Sequence, residues 1–209
     1  MKRPPLIFIA GWGNTAQALH RVASEFDESY DVRVSSSHEI ASRSDTTHPG
    51  RSKAVKKTSH ISSYAEGLQS ALYGLERKDI PSIVVGWSAG GIVALEVACE
   101  KPELIERLVL IGATPKFCTG NGYPWGIAER NVRAMVMQIR KDPKAVLYRF
   151  FQDVSWPVVE SESYLNEKVA AAYNIGIEHL VHGLEYLRTM DLRDKFKAVQ
   201  IPTLIIQGR

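Results

Sequence analysis

Apolar residues fall along this chain in two rhythms. Short unbroken runs alternate with longer stretches in which apolar residues recur every three or four positions. The first run, Leu6-Ile7-Phe8-Ile9-Ala10, stops at Gly11-Trp12-Gly13. A strand with no polar face is predicted for the interior of a parallel sheet, where helices cover both sides. Asn14 or Thr15 then caps a helix whose apolar face carries Ala18, Leu19, Val22 and Phe26. A second strand is expected over Tyr30 to Val34. The stretch Ser35 to Ser59 is rich in Ser, Thr, His, Lys and Arg and reads as an exposed loop. Its basic cluster, Arg51, Lys53, Lys56 and Lys57, reads as solvated charge.

The helical rhythm returns with Ile61, Tyr64, Leu68, Leu72 and Leu75 on one face. A β-branched run from Ile80 to Val85 ends at Gly86, and an amphipathic helix with Ile92, Val93, Val97 and Ala98 follows at once. Leu108 to Ile111 is a further buried strand. Strand–helix–strand alternation with short connections predicts an α/β protein with a mostly parallel sheet flanked by helices. Residues 114–193 contain no comparable run. Their pattern is helical, through Ile127, Val132, Met135 and Ile139, then Val146, Leu147, Phe150 and Phe151. One longer pattern joins Leu165, Val169, Ala172, Gly176, Leu180, Leu184 and Leu187. A helical block interrupting a sheet predicts an inserted lid. The expected division is a core over residues 1–113, a helical lid over 114–193 and a return to the core over 194–209. That return holds a buried-type strand, Pro202 to Ile206, which the given sequence leaves uncovered.

Composition narrows the class. The 209 residues are 44% hydrophobic and 23% charged, with 15 Gly and 10 Pro, which describes a folded domain and excludes collagen-like or disordered chains. No apolar run approaches the ~20 residues that span a bilayer, so no membrane partner is expected. Met1 to Pro5 leads into a short apolar run without a cleavage site, so no signal peptide is expected. Two cysteines, Cys99 and Cys118, lack metal-ligand spacing and suit a reducing cytoplasm. A net charge of +3 tolerates an acidic partner without implying nucleic acid. No metal or organic cofactor is indicated.

The chemical signal is Gly86-Trp87-Ser88-Ala89-Gly90, a G-x-S-x-G motif between a buried strand and a helix. That context marks a nucleophile elbow. Serine sits on a strained turn there, small neighbours let strand and helix approach, and the hydroxyl is presented at a helix N-terminus. The N–H of Ala89 is the first expected oxyanion donor. Trp12, after the first strand, supplies the second candidate N–H. Serine also needs a base oriented by an acid, which follow the elbow in the order Asp or Glu, then His. Of the six histidines, His20, His38, His48 and His60 precede the elbow, while His179 and His182 fall in the helical block. None occupies the expected place after the last strand.

These residues resemble the α/β-hydrolase superfamily and, within it, the family of pimeloyl-[acyl-carrier protein] methyl ester esterases of biotin synthesis. The resemblance rests on Gly11-Trp12-Gly13, on Gly86-Trp87-Ser88-Ala89-Gly90-Gly91 and on Arg149-Phe150-Phe151. The run from Gly183 to Arg193 leading into Ile201-Pro202 is its most specific stretch. It implies an α/β-hydrolase fold and a serine carboxylesterase acting on the methyl ester of a pimeloyl group carried by acyl carrier protein. Ser88 is then the nucleophile, with Trp12 and Ala89 at the oxyanion and Phe150 and Phe151 facing the acyl chain. Arg149 and Arg133, with Arg130 and Arg140, are candidates to dock the acidic carrier. The usual His before Gly-Trp is Ala10 here, and the family's Asp and His are expected beyond Arg209, as in a C-terminally truncated piece. Two other readings stay open: a hydrolase of a small ester or lactone, and a non-catalytic binding protein with an incomplete triad.

Overall fold

Each unbroken apolar run forms a parallel strand. The structure is a computed structural model that describes residues 3–43, 62–75, 81–120 and 122–208. The basic cluster Arg51 to Lys57 lies outside those residues, as do His48, His60, Ile61 and Ile80. Strands β1 (Pro5–Ala10), β2 (Asp31–Ser36), β3 (Ser82–Trp87), β4 (Ile105–Ile111) and β5 (Thr203–Ile206) make one sheet of order β2-β1-β3-β4-β5. Every pairing is parallel, with Ile9 opposite Ser35 on one side and Gly86 on the other. Because β2 and β3 lie on opposite sides of β1, the chain reverses its direction of winding there. The carboxyl ends of β1 and β3 flank that switch point, where open parallel sheets bind ligands.

The described residues of Met1–Gly11, Ala16–Pro115 and Leu192–Arg209 form one compact unit, which contains the whole sheet. Leu6, Phe8, Ala23 and Val85 form a buried cluster, with Leu19, Val32, Val34 and Val109 packed on it. The helices of this unit are α1 (Gln17–Ala23), α2 (Ser37–Arg43), α3 (Ser63–Tyr73) and α4 (Ala89–Glu100).

Several expectations need correction here. Helix α1 begins after Ala16 with no side-chain cap, so neither Asn14 nor Thr15 serves that purpose. Val22, on α1, is exposed, and so is Phe26, which falls in the tighter 3-10 turn after α1 ends at Ala23. The polar stretch from Ser35 does not begin as a loop. Ser35 and Ser36 complete β2, and α2 follows with Ser37, Ile40 and Ala41 buried. Ser36 and Glu39 form a capping box: the Ser36 N–H donates to Glu39 Oε2 at 2.8 Å, and the Glu39 N–H donates to Ser36 Oγ at 3.3 Å. Helix α4 is not amphipathic, since every residue from Ala89 to Ala98 is buried. It packs on β1, β3, β4 and α3. Its Glu96 is only 2% exposed and accepts from the Ser62 N–H (2.8 Å) and Ser62 Oγ (2.6 Å), while Ser62 caps α3 through the Ala65 N–H. Strand β5, by contrast, matches the expectation of a strand left uncovered: Leu204, Ile205 and Ile206 are 56%, 62% and 47% accessible. It is an edge strand, and nothing among the described residues covers it.

The second unit comprises Trp12–Thr15 and the described residues of Lys116–Asp191. Its helices are α5 (Glu129–Ile139), α6 (Pro143–Ser155), α7 (Glu162–Tyr173) and α8 (Ile177–Thr189), with Asp142 and Ser161 capping α6 and α7. The pattern expected to run from Leu165 to Leu187 is two helices, broken where Gly176 takes φ 96°. Ile127 lies before α5, on an extended segment bridged to Cys118. Helices α5 and α8 run antiparallel, clasped at both ends. Arg188 Nη1 meets Glu129 Oε1 at 2.7 Å, and Arg140 Nη2 meets Glu178 Oε2 at 3.0 Å. Each glutamate stands in a first helical turn and each arginine at the far end of a helix, so the pairs also complement the helix dipoles. Lys116 Nζ donates to Asp191 Oδ2 at 2.8 Å across an antiparallel bridge.

Candidate active site at the strand–helix elbow

The turn after β3 permits almost no alternative sequence. Ser88 has φ 54° and ψ −120°, the one positive φ at a non-glycine residue among those described. Such a conformation costs on the order of 1–3 kcal/mol and persists where the surroundings enforce it. Here they do. A Cβ on Gly86 would stand 2.4 Å from Gly91 Cα, and one on Gly90 would stand 2.3 Å from the Ile9 carbonyl oxygen. One on Gly91 would meet Ala113 Cβ at 2.5 Å, so the third glycine of the run is as necessary as the two of the motif. The Ser88 N–H donates to the Ile111 carbonyl at 2.8 Å, tying the elbow to β4. The Ser88 carbonyl accepts from Gly91 (2.9 Å) and Ile92 (3.2 Å) as α4 begins.

Helix α4 therefore starts at Ala89, directly after the half-buried serine. The first N–H groups of a helix have no intrahelical acceptor and lie at the positive end of its dipole. Negative charge developing beside Ser88 would meet both. Gly11, just past β1, also borders the serine: a Cβ there would stand 2.9 Å from Ser88 Cβ. The backbone leaving β1 thus runs against the elbow, as the sheet's switch point requires.

Trp12 is 5% exposed and belongs to the helical unit. Its indole Nε1–H donates to the Leu180 carbonyl on α8 at 2.8 Å, and its ring meets Phe150 edge-on, centroids 4.7 Å apart. Phe150 is half-buried and meets the buried Phe151 edge-on in turn, at 5.2 Å. The cations proposed from sequence differ in their surroundings. Arg133 donates to Glu129 through Nε (3.0 Å) and Nη2 (2.8 Å), and Arg140 is engaged by Glu178. Arg130 and Arg149 are exposed and enter no ion pair among the described residues.

Of the histidines described, His20 lies exposed on α1 and His38 pairs with Ser36 Oγ at 3.3 Å. His179 and His182 lie on the exposed side of α8. Ser88 Oγ makes no hydrogen bond among the described residues. Among the described residues no group of three or more His, Cys, Asp or Glu could hold a metal ion, and no helix is long and apolar enough to cross a membrane. Neither cysteine is disulfide-bonded. Burial, then Glu100, pushes the Cys99 thiol up to about 11, and burial likewise raises that of Cys118.

A parallel sheet wound in this order, with a strained serine between its central strand and a buried helix, is the architecture of one large fold family. The chain matches the alpha/beta hydrolase fold family over residues 4–209 and belongs to it. Relatives carry a narrower description. A pimeloyl-[acyl-carrier protein] methyl ester esterase of Nitrosospira multiformis is 30% identical over 133 residues, which cover 60% of this chain and 49% of that protein. The matched stretch thus spans about half of that relative. A protein of the same description from Aromatoleum aromaticum is 27% identical over 216 residues, covering 100% of this chain and 80% of its own. Among solved structures, an esterase from Exiguobacterium antarcticum aligns with a TM-score of 0.76 at 19% identity, covering 98% of this chain and 73% of that one. This last likeness is one of fold.

Proposed function

We propose that the protein is a serine carboxylesterase that hydrolyses the methyl ester of a pimeloyl group borne by acyl carrier protein, a step of biotin synthesis in the cytoplasm. The observation that carries this reading is the backbone of Ser88, enforced by Gly86, Gly90 and Gly91. The description shared by the relatives supplies the substrate. Ser88 Oγ adds to the ester carbonyl carbon, and a general base takes its proton. The carbonyl oxygen becomes an oxyanion that accepts from the N–H of Ala89 and, as second donor, the N–H of Trp12. Collapse expels methanol, which leaves with the proton, and water then cleaves the acyl-enzyme to release the free acid. The base and its orienting acid are not assigned to any residue described here.

The helical unit acts in this reading as the lid. Phe150, beside Trp12, faces the apolar acyl chain, with Phe151 packed behind it. Arg149 is the better of the two docking candidates for the acidic carrier, since Arg133 already has its carboxylate partner.

The test compares turnover of pimeloyl-acyl carrier protein methyl ester with that of short p-nitrophenyl esters. In parallel, intact mass follows fluorophosphonate labelling of the protein and of Ser88→Ala. The carrier-linked ester is expected to be preferred, and Ser88→Ala to lose labelling and on the order of a million-fold in kcat. Preference for short esters would replace the substrate assignment. Labelling that persists in Ser88→Ala would end the case for this nucleophile.

A further inference from the structure

The end of α6 carries apolar surface that no core claims. The helix stops at Ser155, Trp156 leaves helical geometry at ψ 137°, and the Val158 N–H donates to the Ser155 carbonyl at 2.9 Å as the chain turns. Ser161 then caps α7. This short connection leaves Trp156 80% and Val159 96% exposed, with Val154 and Val158 exposed beside them. A contiguous apolar patch in water marks an interaction or ligand site. Trp156, Val158 and Val159 line an open cavity of about 530 Å³ together with the buried Leu165 of α7. That volume falls within the range of small-molecule sites, which are mostly apolar with a few polar groups. The charged groups lining it are two carboxylates, Asp153 and Glu160. Neither enters an ion pair among the described residues.

Charge narrows the occupant. From Phe150 to Glu167 the chain has four acidic residues, Asp153, Glu160, Glu162 and Glu167, and no Lys or Arg, in a protein of net charge +3. The local field therefore favours a cation and opposes a carboxylate or a phosphate. The aromatic rings of these helices agree. Tyr164 and Tyr173, both exposed, each carry a lysine ammonium over the ring, Lys168 Nζ at 5.4 Å and Lys144 Nζ at 5.3 Å. Trp156 is more exposed than either and carries no cation among the described residues, although indole is the ring that attracts one most strongly. We propose that this cavity binds a small organic cation, an ammonium ion bearing an apolar chain. Its charge would lie against the Trp156 ring and the two carboxylates, and its chain along Val158, Val159 and Leu165. The cavity is built wholly within the helical unit, from residues that the esterase reading leaves unused.

The experiment uses the full chain and titrates hexyltrimethylammonium, hexanol and hexanoate by isothermal calorimetry, with the 15N–1H resonance of the Trp156 indole recorded alongside. The cation is expected to bind with a Kd on the order of 1 mM, about tenfold or more tighter than either of the other two, and to move that resonance. Trp156→Ala is expected to lose about tenfold in affinity. Asp153→Asn combined with Glu160→Gln is expected to lose about as much, with a weaker dependence on salt. The three side chains are exposed or half-buried, so melting temperatures should stay close to that of the wild type, and Trp156→Phe, which keeps a ring, should recover most of the affinity. Equal affinity for hexanol or hexanoate, an unmoved Trp156 indole, or undiminished binding by Trp156→Ala overturns the proposal. So does a preference for phosphatidylglycerol vesicles over the soluble cation, which would make the patch a membrane contact. Ester turnover is not read, so failure of the esterase reading would leave this test intact.

Discussion

Gly90→Ala tests whether the elbow is held by close approach. The added Cβ would stand 2.3 Å from the Ile9 carbonyl oxygen, 2.7 Å from the Ile9 carbonyl carbon and 2.9 Å from the Ala10 carbonyl oxygen. All three are backbone atoms of β1, which is paired on both sides, by β2 and by β3, so none can rotate aside. Ordinary contact begins at 3.4 Å, so α4 and β1 must part by about 1 Å. Overpacking that flexible side chains absorb costs about 1–3 kcal/mol. Here the strand must move and α4 loses part of its own contact with the sheet, so a loss of about 3 kcal/mol or more is expected. Gly112→Ala is the matched control. It has φ 56° and nothing within 4 Å of the new carbon, so its cost is the left-handed backbone alone, about 1–2 kcal/mol. The assay is guanidinium unfolding followed by tryptophan fluorescence, comparing midpoints at constant m. If Gly90→Ala costs no more than Gly112→Ala, the steric account of the elbow fails.

Three further expectations follow from other contacts. Glu96→Ala should cost about 3 kcal/mol and Glu96→Gln about half that, because the amide keeps the shape and one acceptor for Ser62, whereas alanine leaves the half-buried Ser62 N–H without its acceptor; equal losses in denaturant titrations would show that packing alone matters. Glu129 is held below its ordinary value of 4.5, first by its hydrogen bond from Arg188 and then by Arg133. The folded value lies under the unfolded one, so this contribution is present above the ordinary carboxylate range and is lost as pH falls through the lowered folded value. Arg188→Met should therefore lower stability at neutral pH and converge on the wild type in acid; a gap independent of pH would contradict it. Cys99, its thiol pushed up to about 11, should react with iodoacetamide at pH 8 about a hundredfold more slowly than an ordinary thiol, and a rate matching that of free cysteine would contradict that shift.

The elbow was readable from the letters because its spacing is sterically forced: Gly86, Ser88 and Gly90 admit few other residues, and neighbouring strand and helix signals are local. Strands β1, β3 and β4 were legible for a related reason, since only interior parallel strands are apolar on both faces. Leu204 to Ile206 read correctly as a strand left uncovered, and the structure exposes all three; that it pairs only with β4 is set by the sheet order and is not visible in a run of four residues. Ser36 and Glu39 did carry a start signal, the three-residue spacing of a capping box, hidden within a polar stretch. The break at Gly176 was missed because apolar spacing continues across it in phase, and only the positive φ divides α7 from α8. Least legible was Asn14. Its letter suits a helix cap, but its Nδ2 donates to the carbonyl of Trp12, a tryptophan anchored to another carbonyl far along the chain.

That anchor has a consequence in time. Trp12 and Leu180 are 168 residues apart, yet the indole N–H of the one donates to the carbonyl of the other. At roughly 5–20 residues per second, a ribosome exposes Trp12 on the order of ten to thirty seconds before Leu180 follows. Through that interval the indole lacks its acceptor, and for most of it the Phe150 ring as well, while β1 can pair with β2 and β3 before residues 12–15 have anywhere to settle. The helical unit is thus discontinuous in the chain. A fragment confined to Lys116–Asp191 would carry the socket without the residues that fill it, so it is expected to fold less stably than one that also carries Trp12–Thr15.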